Sequence, residues 1–112
     1  MMLMRERLEP LKNMLTGILP DQTYHYFRRV KANRYIIWAE EDEGDSFHAD
    51  NRKQRQVING TIDLFTKKEY DPTADLIQQG LEELERCSWE LNSVQYEEET
   101  NLIHHEWSFR MW

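Results

Sequence analysis

At 112 residues, the chain is long enough for one hydrophobic core and too short for two, so we expect a single domain over residues 1–112. Its 39% hydrophobic and 31% charged residues argue against both a disordered chain and a membrane protein. The 21 acidic residues outnumber the 14 basic ones, and the net charge of −7 argues against a general phosphate-neutralising surface for DNA or RNA.

The first predicted element is a helix over residues 3–18. Its apolar residues recur at spacings of four, three and four, which is one stripe of an α-helix, at Met4, Leu8, Leu11 and Leu15. Pro10 removes one backbone donor, so we expect a kink there or a helix that restarts with Pro10 in its first turn. Charged residues interrupt the segment, which argues against a signal peptide.

Two strands separated by a loop are predicted next. Residues 24–39 are rich in aromatic and β-branched residues, which favours a strand. The acidic stretch that follows has no apolar period, so we expect a mobile loop at about residues 40–53. Residues 54–67 then alternate between a buried face and a partly apolar one, which indicates a central strand. The members of the buried face are Ile58, Gly60, Ile62 and Leu64.

A second helix and a hairpin complete the chain. Asp71 can cap a helix whose first position is Pro72, and an apolar stripe at helical spacing extends this helix over residues 72–87. Residues 89–97 and 102–112 are predicted strands joined by a polar turn. Apolar and polar residues alternate in the last strand, which is typical of an antiparallel sheet that is buried on one face.

The predicted order of elements is α-β-β-α-β-β. This order favours an α+β fold in which an antiparallel or mixed β-sheet carries two α-helices packed on one face. An open sheet of this kind has two edge strands whose backbone groups lack partners. We therefore expect the edges to need protection or a neighbouring subunit.

The adjacent residues His104, His105 and Glu106 are the strongest candidates for binding a metal ion. Neighbouring residues of a strand point to opposite faces, so the two histidines cannot bind the same ion. His104 and Glu106 can share a face, but further ligands would have to come from His25, His48 or distant acids. The sequence therefore predicts no metal site and no other cofactor.

No catalytic residue is predicted either. Cys87 ends the apolar stripe of the second predicted helix, where a buried inert thiol is the usual finding. As the single cysteine it cannot form an internal disulfide, which favours a reducing cytoplasm. The residues Glu97, Glu98 and Glu99 lie at a predicted hairpin turn. No apolar pocket is expected there that would separate their pKa values, so that one could act as a general acid and another as a general base. The sequence also lacks a glycine-rich phosphate loop and a nucleophile elbow.

Four stretches in the second half of the chain resemble small proteins from the morphogenesis modules of siphophages and prophages. They are GTIDLFT at 60–66, YDP at 70–72, WELNSVQYEEET at 89–100 and LIHHEW at 102–107. A looser similarity extends upstream to the segment Ala49-Asp50-Asn51. The proteins that the chain resembles are the tail terminator, tail completion and head-tail joining proteins.

This resemblance implies an α+β fold and a structural role in the virion tail, without catalysis. A chain with this role is made in the bacterial host cytoplasm and assembles with itself into a ring of about six copies at the head-proximal end of the tail tube. Its partners are then the tail tube protein and a head-completion or connector protein. DNA passes through such a ring without specific binding, and no membrane is involved.

The aromatic residues and the polar loop indicate where subunits could meet. The candidate subunit-interface residues are Phe47, His48, Asn51, Arg52 and Trp112. An alternative function is a small cytoplasmic protein–protein interaction module, and a third is a small enzyme that uses His104, Glu106 or Cys87. Ring formation that depends on concentration would separate the first function from the second. Stabilisation by a metal or a substrate would support the third.

Overall fold

Five strands form one mixed sheet, and two helices pack on one face of it. The computed structural model describes residues 2–45, 47–49 and 52–112, with backbone alone for residues 47–49 and 52–54. In chain order, the elements are α1 Met4–Ile18, β1 Thr23–His25, β2 Arg34–Glu43, β3 Phe47–Ala49, β4 Arg52–Arg55, β5 Ile58–Thr66, α2 Pro72–Glu83, β6 Cys87–Glu97 and β7 Leu102–Met111.

The strand order of the large sheet is β1-β2-β5-β7-β6. β1 runs parallel to β2, and all the other neighbouring strands are antiparallel. β5 is central, as the sequence predicts, because it pairs with β2 on one side and with β7 on the other. Buried and half-buried residues alternate along its whole length. The predicted α+β class, with a mixed sheet and two helices, is confirmed.

One hydrophobic core fills the space between the helices and the sheet. Pairing places Ile36 beside Leu64 and Ile62 beside Trp107, so these four side chains point to the same face of the sheet. The helices cover this face with five buried aliphatic side chains, Leu8, Leu11 and Leu15 from α1 and Ile77 and Leu81 from α2. The opposite face carries the other members of each strand and is covered by neither helix. We call it the open face.

The start of α2 is fixed by Asp71, as the sequence predicts. The carboxylate of Asp71 accepts a hydrogen bond from the Thr73 backbone N–H at 2.9 Å, and Pro72 occupies the first helical turn. The helix ends at Glu83, whereas the sequence pattern predicts an end at residue 87. The chain turns at Arg86, whose φ of 54° is left-handed, and Cys87 is therefore the first residue of β6. α1 continues through Pro10 as one helix.

The predicted single strand over residues 24–39 is wrong, because two strands lie there. β1 and β2 are joined by residues 26–33, so the predicted order of elements needs correction. Tyr26 follows the last residue of β1 and has a left-handed φ of 75°, outside the extended region of a regular strand, and its backbone N–H donates to the Trp38 carbonyl oxygen at 2.9 Å. The aromatic and β-branched composition of the segment gives no sign of this turn.

The predicted loop at about residues 40–53 is also replaced largely by strand. β2 continues to Glu43, and β3 and β4 pair as a separate two-stranded sheet. The acidic run lacks an apolar period because this end of β2 is exposed, yet its backbone still pairs with β5, where Asp42 lies opposite Asn59. The mobility of this segment remains a prediction.

Candidate functional site

The strand β6 forms one edge of the large sheet. Within the described residues, β7 is the only strand that pairs with β6, over an element of 11 residues. A long edge strand presents unpaired backbone N–H and C=O groups to its surroundings. Three of its large apolar side chains are also exposed, at 44% for Leu91, 51% for Val94 and 61% for Tyr96. We call these three residues the β6 strip.

A β-bulge places the β6 strip on one face. Leu91 lies opposite Trp107, Val94 opposite His105, and the register shifts between Leu91 and Ser93. The additional residue, Asn92, moves Val94 to the face that Leu91 already occupies, and Tyr96 follows two residues later. The helices cover this same face on the inner strands of the sheet. The β6 strip therefore extends the apolar surface of the core beyond the area that the helices cover.

Residues 26–33 connect β1, the opposite edge strand of the sheet, to β2. They include the exposed apolar side chains of Tyr26, Phe27 and Val30, at 55%, 60% and 60%. Basic side chains lie among them, namely Arg28, Arg29 and Lys31, all exposed. The Arg28 guanidinium lies 4.9 Å from the centre of the Tyr35 ring, which holds the segment against β2. We call residues 26–33 the basic edge.

The surroundings of the β6 strip carry the opposite charge. Glu90 lies on β6, and Glu98 and Glu99 lie at the turn that follows it, all three exposed. The sheet thus has an acidic edge and a basic edge on opposite sides, each with exposed apolar side chains. Surfaces with opposite charge and shared apolar character are complementary to each other.

Of the five interface candidates from the sequence, the structure describes the side chain of Trp112 alone. Phe47, His48 and Arg52 lie in the β3–β4 hairpin, where the backbone alone is described, and Asn51 lies outside the described residues. Trp112 is half-buried, and its backbone N–H donates to the Arg86 carbonyl oxygen at 3.1 Å, so it fixes the C-terminus beside the start of β6. Sequence reasoning missed the β6 strip, since the bulge that aligns its members has no local signal.

A cluster of ionisable side chains lies on the open face. As the sequence predicts, His104 and His105 point to opposite faces, and His104 shares its face with Glu106. The sequence analysis expects a further ligand from His25, His48 or a distant acid, and a distant acid, Asp63, lies beside this pair. Asp63 on β5 is the direct cross-strand partner of Glu106, and ligand atoms of Asp63, His104 and Glu106 all lie within 4.8 Å of one another.

The imidazole of His104 lies between two carboxylates. Its Nε2 is 2.6 Å from Asp63 Oδ1, and its Nδ1 is 3.0 Å from Glu97 Oε2. The hydrogen bond to Asp63 raises the pKa of His104 above its usual value, burial opposes this, and the hydrogen bond to Glu97 adds to it. The ring also stacks on Phe65, with centres 4.2 Å apart, and the Phe65 ring stacks on Tyr35.

The surroundings of the Cys87 thiol oppose its ionisation. Burial, followed by the negative charge of Glu82, raises its pKa to about 11. A thiol with this pKa stays protonated at neutral pH, so it is a poor nucleophile. The raised pKa of Cys87 argues against its use as a nucleophile in the enzyme alternative.

Comparisons with known proteins give no family for this chain. No protein-family model matches it, and no curated protein matches it significantly. Within the described residues, neither helix combines the length and the apolar character that crossing a bilayer requires.

Proposed function

We propose that the chain is a structural subunit that assembles head-to-tail into a ring and serves as a tail terminator, tail completion or head-tail joining protein of a phage or prophage. The observation that carries the proposal is the opposite charge of the two sheet edges. The resemblance of four sequence stretches to that family supports the phage assignment. The proposed location is the head-proximal end of the tail tube in the virion.

Two different surfaces that complement each other favour a head-to-tail contact. The acidic edge of one subunit meets the basic edge of the next, and each subunit keeps one free surface of each kind. Such heterologous contacts form closed rings when the rotation between subunits closes, and filaments when it does not. A symmetric dimer would instead place like charges against each other, which is unfavourable.

Burial of the apolar side chains would stabilise the contact, and the charges would determine which edges pair. Burial of Leu91 and Val94 against Phe27 and Val30 would remove apolar surface from water at about 25 cal/mol per Å². Exposed charges contribute little net affinity, but they exclude wrong pairings and speed correct encounters. We therefore expect assembly that depends on protein concentration and weakens as salt is added.

The net charge of −7 is compatible with a passage for DNA. A ring of acidic subunits produces a negative field that repels phosphates, so DNA would pass without being held. The tail tube protein and a head-completion or connector protein are the partners that follow from the proposed position.

Charge reversal at one edge at a time tests the head-to-tail contact. Glu98→Lys/Glu99→Lys makes both edges basic, and Arg29→Glu/Lys31→Glu makes both edges acidic. Each double variant alone should remain monomeric at concentrations where the unmodified chain assembles, with a dissociation constant raised at least about tenfold. An equimolar mixture should assemble again, because each variant now complements the other. Sedimentation velocity across a concentration series at low salt measures this.

The matched control is Glu6→Lys/Glu9→Lys on the exposed side of α1, which changes the net charge by the same amount as the Glu98 and Glu99 reversal. This control should assemble like the unmodified chain. Negative-stain images of the assembled protein should show closed rings. Assembly by both single-edge variants, failure of their mixture to assemble, or a dimer that never grows would contradict the proposal.

A further inference from the structure

We propose that Asp63, His104 and Glu106 form a binding site for a divalent transition-metal ion, with Zn²⁺ as the best-fitting ion. The three side chains project from the inner strands β5 and β7 onto the open face. The inference is independent of the proposed ring, because none of these residues belongs to the β6 strip or to the basic edge.

The pairing of β5 with β7 brings the three ligands together. His104 and Glu106 are two residues apart on β7, so they share a face, and Asp63 lies directly opposite Glu106. Their ligand atoms lie within 4.8 Å of one another, and His104 Nε2 and Asp63 Oδ1 are 2.6 Å apart. Zinc binds nitrogen and carboxylate oxygen at about 2.0–2.2 Å. Small side-chain rotations therefore bring all three atoms into the first coordination sphere, while the strands stay in place.

Other residues hold two of the three ligands in orientation. Glu97 Oε2 lies 3.0 Å from His104 Nδ1, so Nδ1–H can donate to this carboxylate while a metal ion takes the place of the proton that Nε2 shares with Asp63. The Nδ2 amide of Asn92 donates to Glu106 Oε2 at 3.1 Å. Asn92 occupies this place because the bulge in β6 inserts it beside β7. A carboxylate behind a histidine ligand is a common feature of zinc sites.

The donor set selects the class of ion. One imidazole and two carboxylates suit zinc and similar first-row transition metals, whereas Mg²⁺ and Ca²⁺ prefer oxygen ligands alone. Three protein ligands also leave a coordination position for water or for a group from another molecule. The site has three carboxylates, Asp63, Glu97 and Glu106, around one histidine, so a divalent cation would reduce the repulsion among them.

Calorimetric titration with ZnCl₂ tests the site in chain purified without a histidine tag and treated with a chelator. We expect one Zn²⁺ per chain, and MgCl₂ or CaCl₂ should bind at least about 100-fold more weakly. His104→Ala and Glu106→Gln should each weaken Zn²⁺ binding at least about tenfold, and Glu97→Gln by about 10-fold to 100-fold. Bound Co²⁺ should give visible absorption bands that the His104→Ala protein lacks.

The chain provides a matched control in a second histidine–carboxylate pair. His25 Nε2 lies 2.6 Å from Glu40 Oε1, the same separation as in the His104–Asp63 pair, but among the described residues no third His, Cys, Asp or Glu completes a metal-binding group with it. His25→Ala should therefore leave Zn²⁺ binding unchanged. If His104→Ala fails to fold, the nearly isosteric Asp63→Asn and Glu106→Gln replace it. Absence of Zn²⁺ binding, or equal loss in the His25 and His104 variants, would show that the cluster is a hydrogen-bonded network alone.

Discussion

Replacing Gly60 with alanine is expected to lower the free energy of unfolding by about 3 kcal/mol, at the upper end of the range for overpacked cores. A Cβ atom at this position would lie 2.3 Å from the Ala39 carbonyl oxygen and 2.3 Å from Phe109 Cζ, far inside the 3.4 Å at which ordinary contact begins. The carbonyl belongs to the β2–β5 pairing and cannot move alone. Phe109 is 1% exposed, so its ring has no free space to enter.

The control for this prediction is Gly17→Ala. Gly17 lies near the end of α1, and a Cβ atom there would have nothing within 4 Å. Alanine is the better helix former, so this variant should gain about 0.5–1 kcal/mol. Urea denaturation of both variants measures the difference. Equal changes in the two proteins would mean that the contact between Gly60 and Phe109 does not constrain the core as described.

The parts of the fold that the sequence could predict are those with a local signal. The alternation from Ile58 to Leu64 follows from a strand with one face in the core, and the cap at Asp71 follows from the unpaired N–H groups of a helix start. The division of residues 24–39 into β1 and β2 had no such signal. It depends on the left-handed backbone of Tyr26, which composition does not reveal.

The candidate sites could be predicted only in part, because they depend on the register between strands. The sequence places His104 and Glu106 on one face, because that requires only their separation along β7. Asp63 is 41 residues away from His104 along the chain, and only the register of β5 against β7 brings it there. Likewise, simple alternation from Leu91 predicts residues 93 and 95 on the face that Val94 and Tyr96 in fact occupy. The difference is due to the bulge in β6, which cannot be inferred from periodicity.

Replacing Asp71 with alanine is expected to cost about 2–3 kcal/mol, since its side chain connects three elements. Asp71 is 1% exposed, and it accepts hydrogen bonds from Thr66 Oγ1 at 2.6 Å, from the Thr73 backbone N–H at 2.9 Å and from Arg34 Nε at 2.8 Å. The end of β5, the start of α2 and the start of β2 therefore meet at one carboxylate. The Arg34 side chain is 42% exposed, so water can replace its partner, which keeps the cost below that of a fully buried ion pair.

The control for the Asp71 variant is Asp75→Ala. Asp75 lies in the first turn of the same helix but is exposed. Its removal takes away a favourable interaction with the helix dipole and an electrostatic interaction with His105, so the cost should stay below about 1 kcal/mol. Thermal or urea denaturation at neutral pH compares the two. A loss at Asp75 as large as that at Asp71 would mean that charge at the helix start, and not the buried hydrogen bonds, stabilises this junction.

The contribution of Asp71 should also disappear in acid. Burial alone would raise its pKa, but the hydrogen bonds from Thr66 and Thr73, together with the charge of Arg34, hold the pKa below its usual value. Because the folded-state pKa is the lower one, the stabilisation is complete above the unfolded pKa of about 4 and is lost as the pH falls through the folded value. The difference in unfolding free energy between the unmodified chain and Asp71→Ala should therefore stay constant from pH 7 to about 5 and shrink below about pH 4. Urea denaturation of both proteins across this pH range measures the difference. If the difference were undiminished at pH 3, the neutral side chain of Asp71 would connect the three elements as well as the carboxylate does.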